Sequence, residues 1–268
     1  MLIKEADDLI LENINFSYKK RFITQTILKN FNYVIKKGKF TSIIGPSGSG
    51  KTTLLKLISG LNQCESGQIK FENKSTKDLI KNVTLVQQNM SLMPWLNVFQ
   101  NIHLGNLNKK NNCVDKLIQD IGLDGFAEHY PYQLSGGLVQ RTVIARAILF
   151  QPRLLLLDEP FAALDNLSRE MISTELVSLI KKKSMTVIMV THSVEEAALL
   201  SDEVLVTGIA PISVIKKLVP PKNSRDLSWQ KIGFRKSLQN KDFQDYIKLI
   251  RDTSYKVLKR KLSFEKQK

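Results

Sequence analysis

Long apolar runs are scarce in this 268-residue chain, and stretches such as Leu154–Leu157 fall far short of the roughly 18 residues that span a bilayer. Cysteine is scarcer still: Cys64 and Cys113 are the only two. They make neither a disulfide framework nor a metal quartet, so a reducing compartment is the default. The opening MLIKEADDLI puts acids ahead of any apolar run, which argues against a secretory signal. There is no internal repeat and no low-complexity linker. Aromatics reach only 7%, yet 43% of residues are hydrophobic, a globular composition that is neither collagen-like nor disordered. At roughly 150 residues per domain, the length allows one large domain or one domain with an appendage.

Acidic residues are also short, at 25 Asp+Glu against 40 Lys+Arg, for a net charge of +15. The excess is uneven. From Pro211 onward there are 16 basic and 5 acidic residues, so that segment alone carries +11. Such asymmetry suggests a tail with its own surface preference, either a plain solvated face or a surface for an anionic partner.

What is present reads as alternating strands and helices. Residues 9–16, 31–35 and 40–44 read as short strands, with Gly38 separating the second from the third. Ile69–Phe71 and Val83–Val86 follow as strands, then a helical block from Val98 to Phe150 interrupted by Gly105, the Asn/Lys-rich run 106–112, Pro131 and Ser135–Gly137. Leu154–Leu157 has the continuous apolar character of a strand buried on both faces. A helix near Leu167–Ile180, strand Thr186–Val190, helix Val194–Leu200 and strand Val204–Val206 complete the pattern. The order predicts an α/β fold with a mostly parallel, doubly wound sheet, an N-terminal antiparallel β part and an inserted helical subdomain at about 88–150. Residues 1–210 form the main domain in this reading, and 211–268 a basic, partly helical extension.

Three motifs carry chemistry. Phe40–Ile44 runs into Gly45-Pro46-Ser47-Gly48-Ser49-Gly50-Lys51-Thr52-Thr53, which fits the phosphate-loop pattern G-x-x-x-x-G-K-[ST] and precedes a helical LLKLISG. Glycines let bare backbone N–H groups curl around phosphates, and the following helix aims its positive end at them. Lys51 would reach the β/γ-phosphates of ATP, and the Thr52 hydroxyl would hold Mg²⁺. The apolar run Leu154–Leu157 ends in Asp158-Glu159-Pro160, delivering carboxylates to the strand edge where ligands of such folds sit. Asp158 would contact Mg²⁺ or its water, and Glu159 would orient or activate the attacking water. The alternative for Asp158 is a plain helix cap. Leu134-Ser135-Gly136-Gly137-Leu138 opens a helix with a hydroxyl and two glycine N–H groups, a second anion site. One nucleotide does not need two such loops from one chain; a dimer whose subunits exchange loops would use both.

This set of motifs resembles the ATP-binding subunits of ABC transporters, over about Leu9 to Pro221. The family's usual signature has Gln where this chain has Leu138. The resemblance implies an ATP-dependent homodimer beneath an integral membrane permease, peripheral at the cytoplasmic face, served indirectly by a solute-binding protein. No direct nucleic acid partner is expected. It further implies Gln88 as the glutamine sensing Mg²⁺ and water, with adjacent Gln87 the residue it could be confused with. Asp165 would be the dimer-facing aspartate, and His192, after Val187–Val190, the switch histidine at the γ-phosphate. Tyr18, 27 residues before Gly45, would stack on adenine, with Phe16 as its rival. His103 and His129 carry only a structural reading.

The segment Ser91-Leu-Met-Pro94-Trp95-Leu96 is similar to one in nitrate, sulfonate and taurine importers, as is the stretch from Pro211 to Asp226. Its ring is either simply buried in a local turn or part of the contact with the permease. Two other classes are open on motifs alone: a non-transport ABC ATPase acting on nucleic acid or ribosomes, and a P-loop kinase. The first usually has two ATPase modules, and the second should lack Ser135-Gly136-Gly137 and Asp165. In the tail, Phe243, Tyr246, Ile247, Ile250, Val257, Leu258 and Leu262 recur at near-helical spacing, broken once at Ser254. Either that stripe packs on the ATPase core with its cations solvated, or the helix also lies close to an anionic inner leaflet.

Overall fold

The computed structural model describes residues 7–21, 23–72, 74–75, 82–88, 92–108, 110–162, 164, 169, 172–173, 176, 179–180, 185–221 and 234–265. Asp165, Ser91, most of the helix expected near Leu167–Ile180, and Arg225–Asp226 lie outside them.

The chain begins with a long hairpin, β1 (Leu9–Lys20) and β2 (Ile23–Ile35), where the sequence suggested two short strands. The β-branched run Ile23, Thr24, Thr26 and Ile27 favours extended backbone, and Thr26 pairs with Ser17 across the hairpin. β3 (Phe40–Ile44) leads into α1 (Lys51–Ile58). β4 (Ser66–Phe71), three residues longer than expected, and the short β5 (Lys74–Ser75) complete a four-stranded antiparallel sheet of order β2-β1-β4-β5.

After β6 (Val83–Val86) come α2 (Val98–His103), α3 (Asn111–Asp120) and α4 (Gly136–Leu149). The chain then returns as β7 (Leu154–Asp158), β8 (Thr186–Val190), α5 (Val194–Leu200), β9 (Glu203–Thr207) and β10 (Val214–Leu218). The second sheet has order β10-β9-β3-β8-β7-β6, parallel from β9 to β6 with β10 antiparallel at its edge. β3 and β7 flank β8 in this parallel run, so the residues after Ile44, after Leu157 and after Val190 emerge at the same edge of the sheet.

Alternation along the central strands divides two cores. Leu154, Leu156, Ile43, Ile188 and Val190 face α1 and the antiparallel sheet. Leu155, Leu157, Ile44, Val187 and Met189 face the helical segment and the tail. A strand sandwiched in this way has no solvent face, which is why its sequence is apolar without a period of two.

The tail holds α6 (Phe234–Ser237) and α7 (Lys241–Glu265). α7 runs through Ser254 without a break, because the Ser254 hydroxyl donates to the Ile250 carbonyl at 2.9 Å and is absorbed by the helix. Phe243, Tyr246, Ile247, Ile250 and Val257 are buried on α5 and β9, whereas Leu258 is exposed. These five residues of the stripe therefore belong to the core, and the Leu262 side chain lies outside the described residues. β10 pairs with β9, so a division at residue 210 passes through a paired hairpin.

Candidate functional site

The loop between β3 and α1 closes on its own lysine. Lys51 Nζ donates to the carbonyls of Gly45 at 2.9 Å and Pro46 at 2.8 Å, and lies 3.5 Å from Ser49 Oγ. Lys51 is buried, with these loop oxygens among its acceptors, and its charge also acts on the nearby Asp158 carboxyl. Gly50 enters α1 with φ of 104°, and a Cβ there would meet Ile27 Cγ2 at 2.5 Å. A Cβ on Gly45 would meet Thr207 Oγ1 at 2.1 Å. Both positions require glycine. The Thr52 hydroxyl donates to Asp158 Oδ1 at 3.1 Å. Burial pushes the Asp158 carboxyl above its ordinary pKa, the Thr52 hydrogen bond opposes this, and neighbouring Glu159 adds to the rise.

A cleft of about 320 Å³ opens beside this loop, lined by Tyr18, Gln25, Ser47, Gly48, Lys51, Thr52, Thr53, Glu159 and His192 among others. Glu159 sits at φ 49°, a left-handed conformation that costs a non-glycine residue on the order of 1–3 kcal/mol. Its N–H donates to the Val190 carbonyl at 2.8 Å. That bond ties the turn after β7 to the end of β8, directly before His192. The Glu159 carboxylate then receives His192 Nε2 on Oε1 at 2.7 Å and Gln88 Nε2 on Oε2 at 3.2 Å. Gln88, Glu159 and His192, far apart in sequence, thus share one carboxylate. Gln88, rather than its neighbour Gln87, makes this contact.

Ser135, Gly136 and Gly137 stand elsewhere. Ser135 caps α4, its Oγ accepting from Leu138 N–H at 3.4 Å. Ser135 and Gly136 are exposed, and none of the three lines the cleft. Leu138 contributes only its backbone to the cap, while its side chain packs against the helical core.

A family profile described as "ABC transporter" matches residues 28–162. The chain belongs to the ABC transporter family. Among relatives, an aliphatic sulfonates import ATP-binding protein SsuB of Bacillus cereus is 36% identical over 87% of this chain and 95% of its own. The nitrate import ATP-binding protein NrtC of Synechococcus elongatus is 40% identical over 72% of this chain and 30% of its own. Among solved structures, the ATP-binding cassette MJ0796, in a dimeric post-hydrolysis state bound to ADP and Pi, superposes with a TM-score of 0.70 at 31% identity. That match covers 79% of this chain and 98% of MJ0796.

Within this ABC ATPase, Tyr18 and not Phe16 lines the cleft; its hydroxyl lies 3.3 Å from Thr53 Oγ1 and its ring meets Phe16 edge-on at 5.0 Å. Trp95 is 70% exposed, so the simple reading of a buried ring fails. Fully buried Asn101 holds its loop, accepting from Met93 N–H at 2.8 Å and donating to the Leu96 carbonyl at 2.8 Å. Sequence reasoning missed Asn101, Gln25 and Ile27. The last two lie on the unrecognised half of β2, and an Asn within the first turns of a short helix gives no sign of a tertiary role. Glu196 was also missed. Burial pushes its carboxyl up, opposed by a Thr191 Oγ1 donor at 2.5 Å and by nearby Arg169.

Proposed function

We propose that this ABC ATPase is the ATP-hydrolysing subunit of an importer for a small anionic solute of the sulfonate or nitrate type. The names of SsuB and NrtC support that class. The observation that carries the hydrolytic role is the Glu159 carboxylate, gripped by His192 and Gln88 beside the phosphate loop. A strained backbone and two oriented donors preorganise this carboxylate to align a water and accept its proton.

The residues fit Mg²⁺-ATP. Lys51, donating to neutral carbonyl oxygens of its own loop, gains by taking anionic phosphate oxygens instead. Thr52 and Asp158 are hard oxygen donors of the kind Mg²⁺ takes, and Gln88 completes the set. Bound Mg²⁺ supplies neutralisation of phosphate charge at that point. Tyr18 offers a half-exposed ring for adenine. His192 answers the γ-phosphate while orienting Glu159.

Ser135, Gly136 and Gly137 present an exposed helix start remote from their own cleft. In a dimer they meet the partner's nucleotide. The exposed loop carrying Trp95 is the part of the helical segment offered to a permease. Among the described residues no helix is long and apolar enough to cross a membrane, which fits a peripheral subunit on the cytoplasmic face, with a solute-binding protein acting on the far side.

Phosphate release from Mg²⁺-ATP tests this directly. Glu159→Gln should lose about 10²–10⁴ in rate while still binding ATP. The same variant should elute as a dimer with Mg²⁺-ATP, and Ser135→Arg should abolish that dimer. Near-normal hydrolysis by Glu159→Gln, or elution indifferent to ATP, overturns the reading.

A further inference from the structure

The net of hydrogen bonds around His192 does not end at the nucleotide cleft. Thr191 Oγ1 donates to Glu196 Oε2 at 2.5 Å and accepts from Ser193 N–H at 3.0 Å. Ser193 Oγ accepts from Glu196 N–H at 3.1 Å, capping α5, and donates to Glu195 Oε2 at 3.3 Å. The second Glu195 oxygen, Oε1, receives Arg251 Nη2 at 2.6 Å. Arg251 comes from α7, more than fifty residues later in the chain. Both residues flanking His192 are thus held by carboxylates of α5, and one of those carboxylates is held in turn by the tail.

α7 is placed for this. Phe243, Tyr246, Ile247 and Ile250 anchor it in the core, and the Tyr246 hydroxyl donates to the Leu218 carbonyl at 3.3 Å. Directly after these anchors comes Arg251, and with Tyr255 and Leu258 further along it forms the wall of a second cleft of about 370 Å³, whose opposite wall is Pro46, Ser47 and His192. Ser47 and His192 belong to both clefts. The tail therefore stands against the phosphate loop and the histidine turn together, without entering the nucleotide cleft.

We infer that Arg251 is a positioning residue for hydrolysis, fixing the His192 turn through Glu195 and Ser193 and so making turnover depend on the tail helix. The inference rests on the proposed role of His192. Arg251 does not line the nucleotide cleft, so its loss should loosen His192 and leave ATP affinity unchanged. The pair is partly exposed, at 62% for Arg251 and 35% for Glu195. An exposed pair of this kind supports an effect of about threefold to fivefold and no more.

Steady-state ATPase kinetics on the full chain test it. Arg251→Ala should lower kcat by about threefold to fivefold with KM for ATP unchanged. Arg251→Lys should recover part of the loss, since an ammonium keeps the charge without the fork. The reversed pair Glu195→Arg/Arg251→Glu should not recover the loss, because an arginine at 195 offers Ser193 Oγ no acceptor; full recovery by the reversed pair overturns the route through Ser193. Lys248→Ala removes an exposed cation from the same helix and should change nothing. Equal losses in Lys248→Ala and Arg251→Ala mean a general charge effect and overturn the inference. So does a lowered melting temperature in Arg251→Ala with unchanged kcat, which marks a merely structural pair. A His192→Ala variant separates the two levels. If it keeps full activity, the role of His192 itself fails. If it is inactive while Arg251→Ala turns over normally, only the tail's part fails.

Discussion

Replacing Asn101 by Ala should loosen the Trp95 loop while sparing the nucleotide cleft. The Asn101 side chain is fully buried and makes four hydrogen bonds: from Met93 N–H at 2.8 Å, and to the carbonyls of Met93 at 3.2 Å, Leu96 at 2.8 Å and Asn97 at 3.0 Å. Not all are lost at full cost. The Met93 carbonyl also accepts from Leu96 N–H, and the Asn97 carbonyl from Asn101 N–H. Alanine leaves the Met93 N–H and the Leu96 carbonyl needing new partners. At about 1–3 kcal/mol per buried group left unpaired, and with the half-exposed loop admitting some water, about 2 kcal/mol is expected. That corresponds to a melting temperature lower by about 4–8 °C. Asn101→Asp should be worse, because it keeps the acceptor for Met93 but turns an anion toward three carbonyl oxygens. Scanning calorimetry on both variants reads the effect, and basal ATPase should stay near wild type. If the alanine variant melts within about 1 °C of wild type, or if the aspartate variant is the more stable of the two, the buried-amide account is wrong.

Two further outcomes follow from packing and charge. Phe243→Ala empties a fully buried site under the tail helix and should cost about 3–5 kcal/mol by chemical denaturation; a cost below about 1 kcal/mol means the tail is not part of the core. Glu72 is pushed up by burial, but hydrogen bonds from Arg153 and Lys37 outweigh this and hold its carboxyl below the ordinary value of 4.5. A lowered folded pKa stabilises above the unfolded value, and the gain is lost as pH falls through the folded value. Urea midpoints of wild type and Glu72→Gln should therefore differ at neutral pH and converge below pH 4.5; a gap that stays constant refutes the assignment.

How much of the site could be read in advance depended on whether a residue's role is local. Gly45–Thr53 declares itself because a phosphate loop is made by backbone within nine consecutive residues, and its glycines answer close approaches by Thr207 and Ile27. Asp158 and Glu159 were legible because a both-faces-buried strand must end where its apolar run ends. β2 was mistaken in length because its outer half alternates weakly and gains its order from pairing with β1. Asn101, Glu196 and Arg251 left no mark, since asparagine, glutamate and arginine on helices are most often solvated.

By itself, then, the sequence determined the central strands β3, β7, β8 and β9, the phosphate loop, the carboxylate strand end and the helix start at Ser135, all properties of contiguous residues and their periodicity. The edge strands β5 and β10 went unread. Tertiary structure alone decided that one carboxylate is shared by Gln88 and His192. It also decided that Tyr18 rather than Phe16 reaches the cleft, that Trp95 is turned outward, and that the tail buries Phe243, Tyr246, Ile247, Ile250 and Val257 against α5 and β9. Each of these depends on which strands become neighbours and which helix face meets a core. Such contacts join residues far apart along the chain, and no local spacing encodes them.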